Sequence, residues 1–146
     1  MAMQPRIAEK NDAQSITHVI NAAFRRAESF FIDRDRIDVD KVVEMMTTGQ
    51  FLVVAESGAI IACVYLEPRG ERAYLGLLSV DPSRQGSGLG SQLMTAAEEH
   101  CRKLGSHSID LQIVNLRKEL PEFYRRRGYV EAGTAPFMPG IPTKMR

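Results

Sequence analysis

What this chain of 146 residues has little of narrows the field first. It holds 2 cysteines, too few for a disulfide-stapled scaffold. Neither Cys63 nor Cys101 has a second cysteine or a histidine at metal-ligand spacing, so no metal is expected. Both lie inside apolar stretches and read as reduced core thiols. Net charge is scarce too: 19 basic against 18 acidic residues leave +1, too weak a field to argue for nucleic acid or an anionic membrane surface. Any anionic partner has to be bound locally. The longest apolar run, AIIACVYL from Ala59 to Leu66, is far short of the roughly 20 residues of a membrane span. The start, MAMQPRIAEK, has no apolar segment of signal-peptide length. These absences together imply a cytoplasmic protein.

What is present is an ordinary globular composition, 44% hydrophobic and 25% charged. A chain of this size buries about 70% of its unfolded surface, so one domain over residues 1–146 is expected to form its core without staples. After a short extended piece at Arg6–Ala8, Asn11 and Gln14 stand at capping-box spacing. Ile16, Val19, Ile20 and Ala23 then repeat at helical intervals. FRRAESFFIDRDRID reads as an ordered loop or irregular helix, whose Glu28, Phe30 and Phe31 either line a cleft or anchor a solvated loop. VDKVVEMMTTG is a second helix ended by Gly49. Three β-rich runs follow, with turn signals at Ser57-Gly58 and Pro68-Arg69-Gly70, an antiparallel meander. A helix from Gly88 to Leu104, a strand in HSIDLQIVN, a short helix in LPEFYRRRG and a strand in YVEAGTA complete the order β-α-α-β-β-β-α-β-α-β. The fourth strand, long helix and fifth strand form a βαβ unit with parallel strands, so the predicted fold is α/β (α+β) with a mixed, mostly antiparallel sheet flanked by helices.

The segment LLSVDPSRQGSGLGSQL, Leu77 to Leu93, places Gly86, Gly88 and Gly90 where a strand hands over to the long helix. A helix opens with unpaired N–H groups and partial positive charge. Glycines there let the backbone come close to a ligand, and the expected ligand is a phosphate or pyrophosphate. A Walker loop needs Lys and Ser/Thr after its last glycine, whereas Gly90 is followed by Ser91-Gln92. The dinucleotide fingerprint fails because Ser91 stands where its last glycine belongs and Asp110 lies near the start of the next strand.

The spacing that is met is Gln/Arg-x-x-Gly-x-Gly/Ala, at Gln85, Gly88 and Gly90. Here the chain resembles the GNAT superfamily of acetyl-coenzyme A-dependent N-acetyltransferases. A second motif, NLRKELPEFYRRRGY, is similar to that family's Asn…Tyr-x-x-x-Gly-Tyr/Phe segment at Asn115, Tyr124, Gly128 and Tyr129. The resemblance runs from the first helix to the sixth strand. It implies acetyl-CoA as co-substrate and transfer to a primary amine of a small molecule or peptide. It also implies that the fourth and fifth strands splay apart around the pantetheine arm. Carried onto this sequence, the backbone of Val80 pairs with the arm, and the N–H of Leu78 polarises the thioester carbonyl, a preorganised donor of the kind worth about 10²–10³ in rate. The diphosphate would rest on the N–H groups of Gly86, Ser87, Gly88, Leu89, Gly90 and Ser91, with side-chain contacts from Arg84 and Gln85. Asn115 would hold the arm, and Tyr124 would protonate the departing thiolate.

The general base is left open by the sequence. The family often takes it from the fourth strand, at the position held here by Tyr74, and a phenol is a poor base at neutral pH. Glu67 and Glu28 are carboxylates that could substitute, or surface charges. His18, His100 and His107 have no partners for a hydrolytic triad. The run Arg125–Arg127 reads either as a phosphate contact or as a solvated helix face. The tail PFMPGIPTKMR carries Pro136, Pro139 and Pro142 and leaves little room for the family's last strand, so that strand is expected short or missing, with strand exchange or edge pairing in a homodimer as one consequence. Two further readings stand beside the small-molecule enzyme: a non-catalytic acyl-CoA-binding or regulatory module, and acetylation of a protein partner.

Overall fold

The computed structural model describes residues 4–27, 37–112, 125–129 and 144–145. Among the described residues six strands form one sheet in the order β1-β2-β3-β4-β5-β6: β1 Arg6–Ile7, β2 Gln50–Glu56, β3 Ala59–Arg69, β4 Arg72–Val80, β5 Ser108–Gln112 and β6 Lys144–Met145. All neighbours run antiparallel except β4 and β5, which are parallel and joined through the helix α3, Leu89–Lys103. The mixed sheet and the order of elements from β1 to β5 follow the sequence expectation, while the strand expected in YVEAGTA, apart from Tyr129, and most of the helix expected in LPEFYRRRG lie outside the described residues.

Alternation along the strands sorts the core into two layers. On one side Phe51, Val53, Cys63 and Tyr65 pack with Ile16, Val19 and Ile20 of α1, Ala13–Ala27, and with Val42 of α2, Val39–Met45. On the other side Leu52, Val54, Val64 and Leu66 meet Leu89, Leu93, Met94, Ala97 and Cys101 of α3. Both cysteines are buried free thiols. Burial pushes the Cys101 thiol up to about 11 and that of Cys63 higher still. Among the described residues no helix is long and apolar enough to cross a membrane.

Several local expectations are corrected. The start of α1 is organised two residues earlier than the Asn11/Gln14 spacing implied: a 3-10 turn at Lys10–Asp12 precedes it, and the Asp12 carboxylate accepts from the Glu9 N–H at 2.8 Å and from Arg6 at 2.9 Å. The helix continues to Ala27, into the segment read as a loop; Glu28, Phe30 and Phe31 lie outside the described residues. β3 runs through Pro68 to Arg69, and the reversal falls at Gly70-Glu71. Proline is tolerated because β2 stops pairing at Leu66, so Pro68 has a neighbour only in β4. Beside β5, the chain's own Lys144–Met145 pairs antiparallel with Leu111 and Gln112. Among the described residues these two take the place beside β5 that the sequence reading left open.

Gly76 of β4 has no room for a side chain, since a Cβ there would lie 2.8 Å from Cζ of Tyr74 and closer still to its hydroxyl. Gly76→Ala is therefore expected to cost about 1–3 kcal/mol through overpacking. Urea denaturation checks this, and an unchanged midpoint would show that the Tyr74 ring moves aside freely.

Candidate functional site

β4 is regular up to Gly76 and irregular directly after it. Cys63 pairs with Ser79 and Tyr65 with Gly76, so Leu77 and Leu78 together oppose Val64, which makes a bulge. Leu77 takes φ +56, a conformation costing an L-residue about 1–2 kcal/mol. The bulge resets the alternation: before it Ala73 and Leu75 face α3, and after it Leu78 and Val80 do. It also sets the main-chain groups. The N–H of Asp81 donates to the Ile61 carbonyl at 2.8 Å, so by strand alternation Val80 turns its N–H and C=O groups to the opposite edge, toward β5. Among the described residues that edge has no partner: pairing with β5 ends at Leu75–Leu111, and none is described for Gly76 to Val80.

Beyond Val80 the chain turns through a 3-10 segment, Pro82–Arg84, opened by Asp81, whose carboxylate accepts from the Ser83 N–H at 2.9 Å. Gly86 and Gly88 follow with φ +84 and +86, the left-handed region that glycine enters without strain. Gly88 is the N-cap of α3 and makes no side-chain cap. Among the described residues the N–H groups of Gly86, Gly88, Leu89, Gly90 and Ser91 have no acceptor. Ser87 is the exception within the expected cradle. Its N–H donates to the Arg84 carbonyl at 3.3 Å, and its hydroxyl donates to the same oxygen. A Cβ at Gly86 or Gly88 would touch nothing, so the space over this turn is open. The arrangement is a row of unpaired donors at a helix N-terminus, which attracts anions, ending beside an open strand edge.

The flanking side chains are partly committed. Arg84 forms an ion pair with Glu56 of β2, and the Gln85 amide reaches the Val80 carbonyl at 3.5 Å. Asp110, which failed the dinucleotide pattern, is bonded by Arg72 across β4 and β5. Asn115 and Tyr124 lie outside the described residues.

Of the base candidates, Tyr74 is buried, edge-on to Tyr65 and covered by the Arg69 guanidinium 4.7 Å from its ring centroid. Glu67 accepts from Arg69 at 2.5 Å and from the Tyr65 hydroxyl at 2.7 Å. Burial raises its pKa, but these donors outweigh it and hold the carboxyl below the ordinary 4.5, while burial pushes Tyr65 up to about 12. A carboxylate depressed on folding contributes stability above its unfolded pKa and loses it as pH falls through the folded one. The difference in Tm between the parent and Glu67→Gln is therefore expected to be full at neutral pH and to shrink below about pH 4. A gap that stays constant down to pH 3 in thermal melts would place its origin elsewhere.

Sequence reasoning missed two residues of this frame. Asn21, buried in α1, donates to the Ile37 carbonyl at 2.8 Å and accepts its N–H at 2.9 Å, fixing the approach to α2. Arg127 is neither a solvated residue nor a free phosphate contact. It crosses to α3 and donates to Ser91 Oγ and Thr95 Oγ1 at 3.0 Å each and to Glu98 at 2.8 Å, while Arg125 and Arg126 are exposed. No local signal separates it from its two neighbours.

The acetyltransferase (GNAT) family pattern matches residues 14–129. The chain belongs to this family. As a GNAT acetyltransferase it is similar to mycothiol acetyltransferase from Propionibacterium freudenreichii, 37% identical over 76 residues that make up 49% of this chain and 23% of that protein. It is also similar to an amino-acid acetyltransferase from Pseudomonas putida, 28% identical over 108 residues, 73% of this chain and 23% of that one. The chain thus spans under a quarter of the length of these relatives. The GNAT fold is shared with the PaiA N-acetyltransferase of Thermoplasma acidophilum, solved in complex with coenzyme A, at TM-score 0.81 and 16% identity over 99% of this chain and 98% of that one.

Proposed function

We propose that residues 1–146 act as one domain that transfers an acetyl group from acetyl-CoA to a primary amine. The observation that carries this is the row of N–H groups from Gly86 to Ser91, Ser87 excepted, that have no acceptor among the described residues, next to the edge of β4 that has no partner among them. A diphosphate supplies acceptors for the first, and an extended pantetheine arm supplies a pairing partner for the second at Val80. The amine nitrogen attacks the thioester carbonyl carbon as negative charge grows on its oxygen. The Leu78 N–H stabilises that charge. When the C–S bond breaks, Tyr124 gives its proton to the thiolate, and the excess proton on the new amide nitrogen leaves to water. Asn115 steadies the arm. Gln85 lies within reach of the phosphates, and Arg84 joins them by exchanging Glu56 for a phosphate oxygen. A water relay fits the proton's exit, because Glu67 and Tyr74 are both engaged in the packed layer.

The relatives' names, amino-acid and mycothiol acetyltransferase, favour a small-molecule acceptor over a protein. Free-thiol release from acetyl-CoA across polyamines, amino acids, aminoglycosides and peptides tests this. Release that requires one class of amine supports the reading. Coenzyme binding without release from any amine would make the chain an acyl-CoA-binding module instead.

A further inference from the structure

Arg84, directly ahead of the glycine turn, is tied to the far end of β2. Its backbone is held on both sides: its N–H donates to the Asp81 carbonyl at 2.8 Å, and its own carbonyl accepts from the Ser87 N–H at 3.3 Å. Only the side chain is left to choose a partner. Asp81, in the same turn, is engaged by the Ser83 N–H at 2.9 Å and by the Ser83 hydroxyl at 2.7 Å. The Arg84 guanidinium pairs with Glu56.

The sheet determines where Glu56 stands. It is the last residue of β2 and pairs with Ala59 across Ser57-Gly58, whose φ values of +54 and +82 belong to a tight hairpin turn. Such a turn fixes the register of the strands it joins, so the carboxylate is brought to Arg84 by a paired strand end.

The two side chains are 39% and 33% exposed, which makes the ion pair a weak one. Exposed pairs of this kind are favoured by a factor of about 1.5–5. A diphosphate, with more charge and several acceptor oxygens, displaces such a partner. The pair still has to break first, and a ligand that uses the freed Arg84 is weakened by the fraction of chains in which it is free. Once displaced, the Glu56 carboxylate also remains a like charge near the phosphates. Both effects have the same sign.

We propose that Glu56 sets the affinity for the coenzyme by competing with its diphosphate for Arg84. This rests on the reading above in which Arg84 joins the phosphates. Acetyl-CoA and CoA carry the same diphosphate, so the competition lowers affinity for substrate and product alike. The opposite arrangement, in which Glu56 holds Arg84 in place for the phosphate, predicts the reverse sign.

Calorimetric titration of the full chain with acetyl-CoA and with CoA tests this. Glu56→Gln, which keeps the length of the side chain and removes its charge, is expected to tighten both by about two- to fivefold at low salt. The gain is expected to shrink at about 0.5 M salt. Partial unfolding weakens binding and so cannot imitate this result, and Glu56→Ala gives a second measure of the same sign. Arg84→Gln is expected to weaken both ligands, and Glu56→Gln added to it to change Kd by less than about 1.5-fold. Glu44→Gln removes an equal charge from α2, which packs on the other face of the sheet from α3, and is expected to leave Kd at the parent value. Affinity unchanged or weakened in both Glu56 variants, equal tightening in the Arg84→Gln background, or equal tightening by Glu44→Gln overturns the competition. If Arg84→Gln still weakens binding, those results leave the phosphate reading standing. An Arg84→Gln variant that binds like the parent removes Arg84 from the phosphate site, and a parent that binds no coenzyme removes the reading as a whole; either ends the competition too.

Discussion

Tyr124→Phe is expected to lower kcat for acetyl transfer by about 10²-fold or more while leaving the Kd for acetyl-CoA near the parent value. The substitution removes one oxygen and keeps the ring, so it separates proton donation from packing. A thiolate leaving without its proton is the species that the reverse reaction recaptures, and in the proposed mechanism the Tyr124 phenol removes it by supplying the proton as the bond breaks. Because the loss is confined to the transition state, kcat and kcat/KM fall together. Stopped-flow thiol release with coenzyme titration in parallel checks this. A full-rate Phe variant would remove Tyr124 from the chemistry and leave water as the acid, whereas equal loss of rate and coenzyme affinity would give the residue a packing role only.

The second large effect belongs to the turn before α3. Gly88→Val is expected to weaken acetyl-CoA binding by about 10–100-fold, the scale of one or two charge-assisted hydrogen bonds. Gly88 sits at φ +86, and a Cβ there meets no protein atom. The side chain would thus strain the backbone and fill the space over the unpaired N–H groups without disturbing the core. Gly58 provides the control: it has φ +82 and open space as well, but lies in the β2–β3 reversal. Gly58→Val is expected to cost similar conformational energy, about 1–2 kcal/mol, with coenzyme affinity unchanged. If both variants lose affinity alike, global destabilisation is the cause; if neither does, the coenzyme's phosphates rest elsewhere.

Much of the architecture was legible because its signals are repetitive. Leu89, Leu93, Ala97 and Cys101 mark one face of α3 at spacings that only a helix unites, and the structure buries all four, whereas Leu104, the last residue of the expected stripe, caps the helix and is exposed. The meander was legible for the same reason, with β-rich runs cut by glycine turns. Single-residue decisions were not. Asn11 and Gln14 have the spacing of a cap, yet Asp12 takes the role because Arg6 of β1 is at hand to share its carboxylate. Pro68 carries a turn signal, and the sheet overrides it by leaving that stretch of β3 free on its β2 side. In the candidate site, the glycines at the head of α3 stood out in the sequence, while the bulge at Leu77-Leu78 did not. Two leucines in a β-rich run give no local reason for φ +56.

By itself the amino-acid order determined the elements from β1 to β5, their sequence along the chain and the glycine turn that opens α3, because periodicity and glycine act over a few residues. Tertiary structure alone decided where along β4 pairing with β5 stops among the described residues, that Arg84 meets Glu56, and that Arg127 crosses to bind α3. Those outcomes depend on contacts between residues far apart in sequence, where strand register and the competition among donors for a limited number of acceptors choose the partner. No local pattern carries that information.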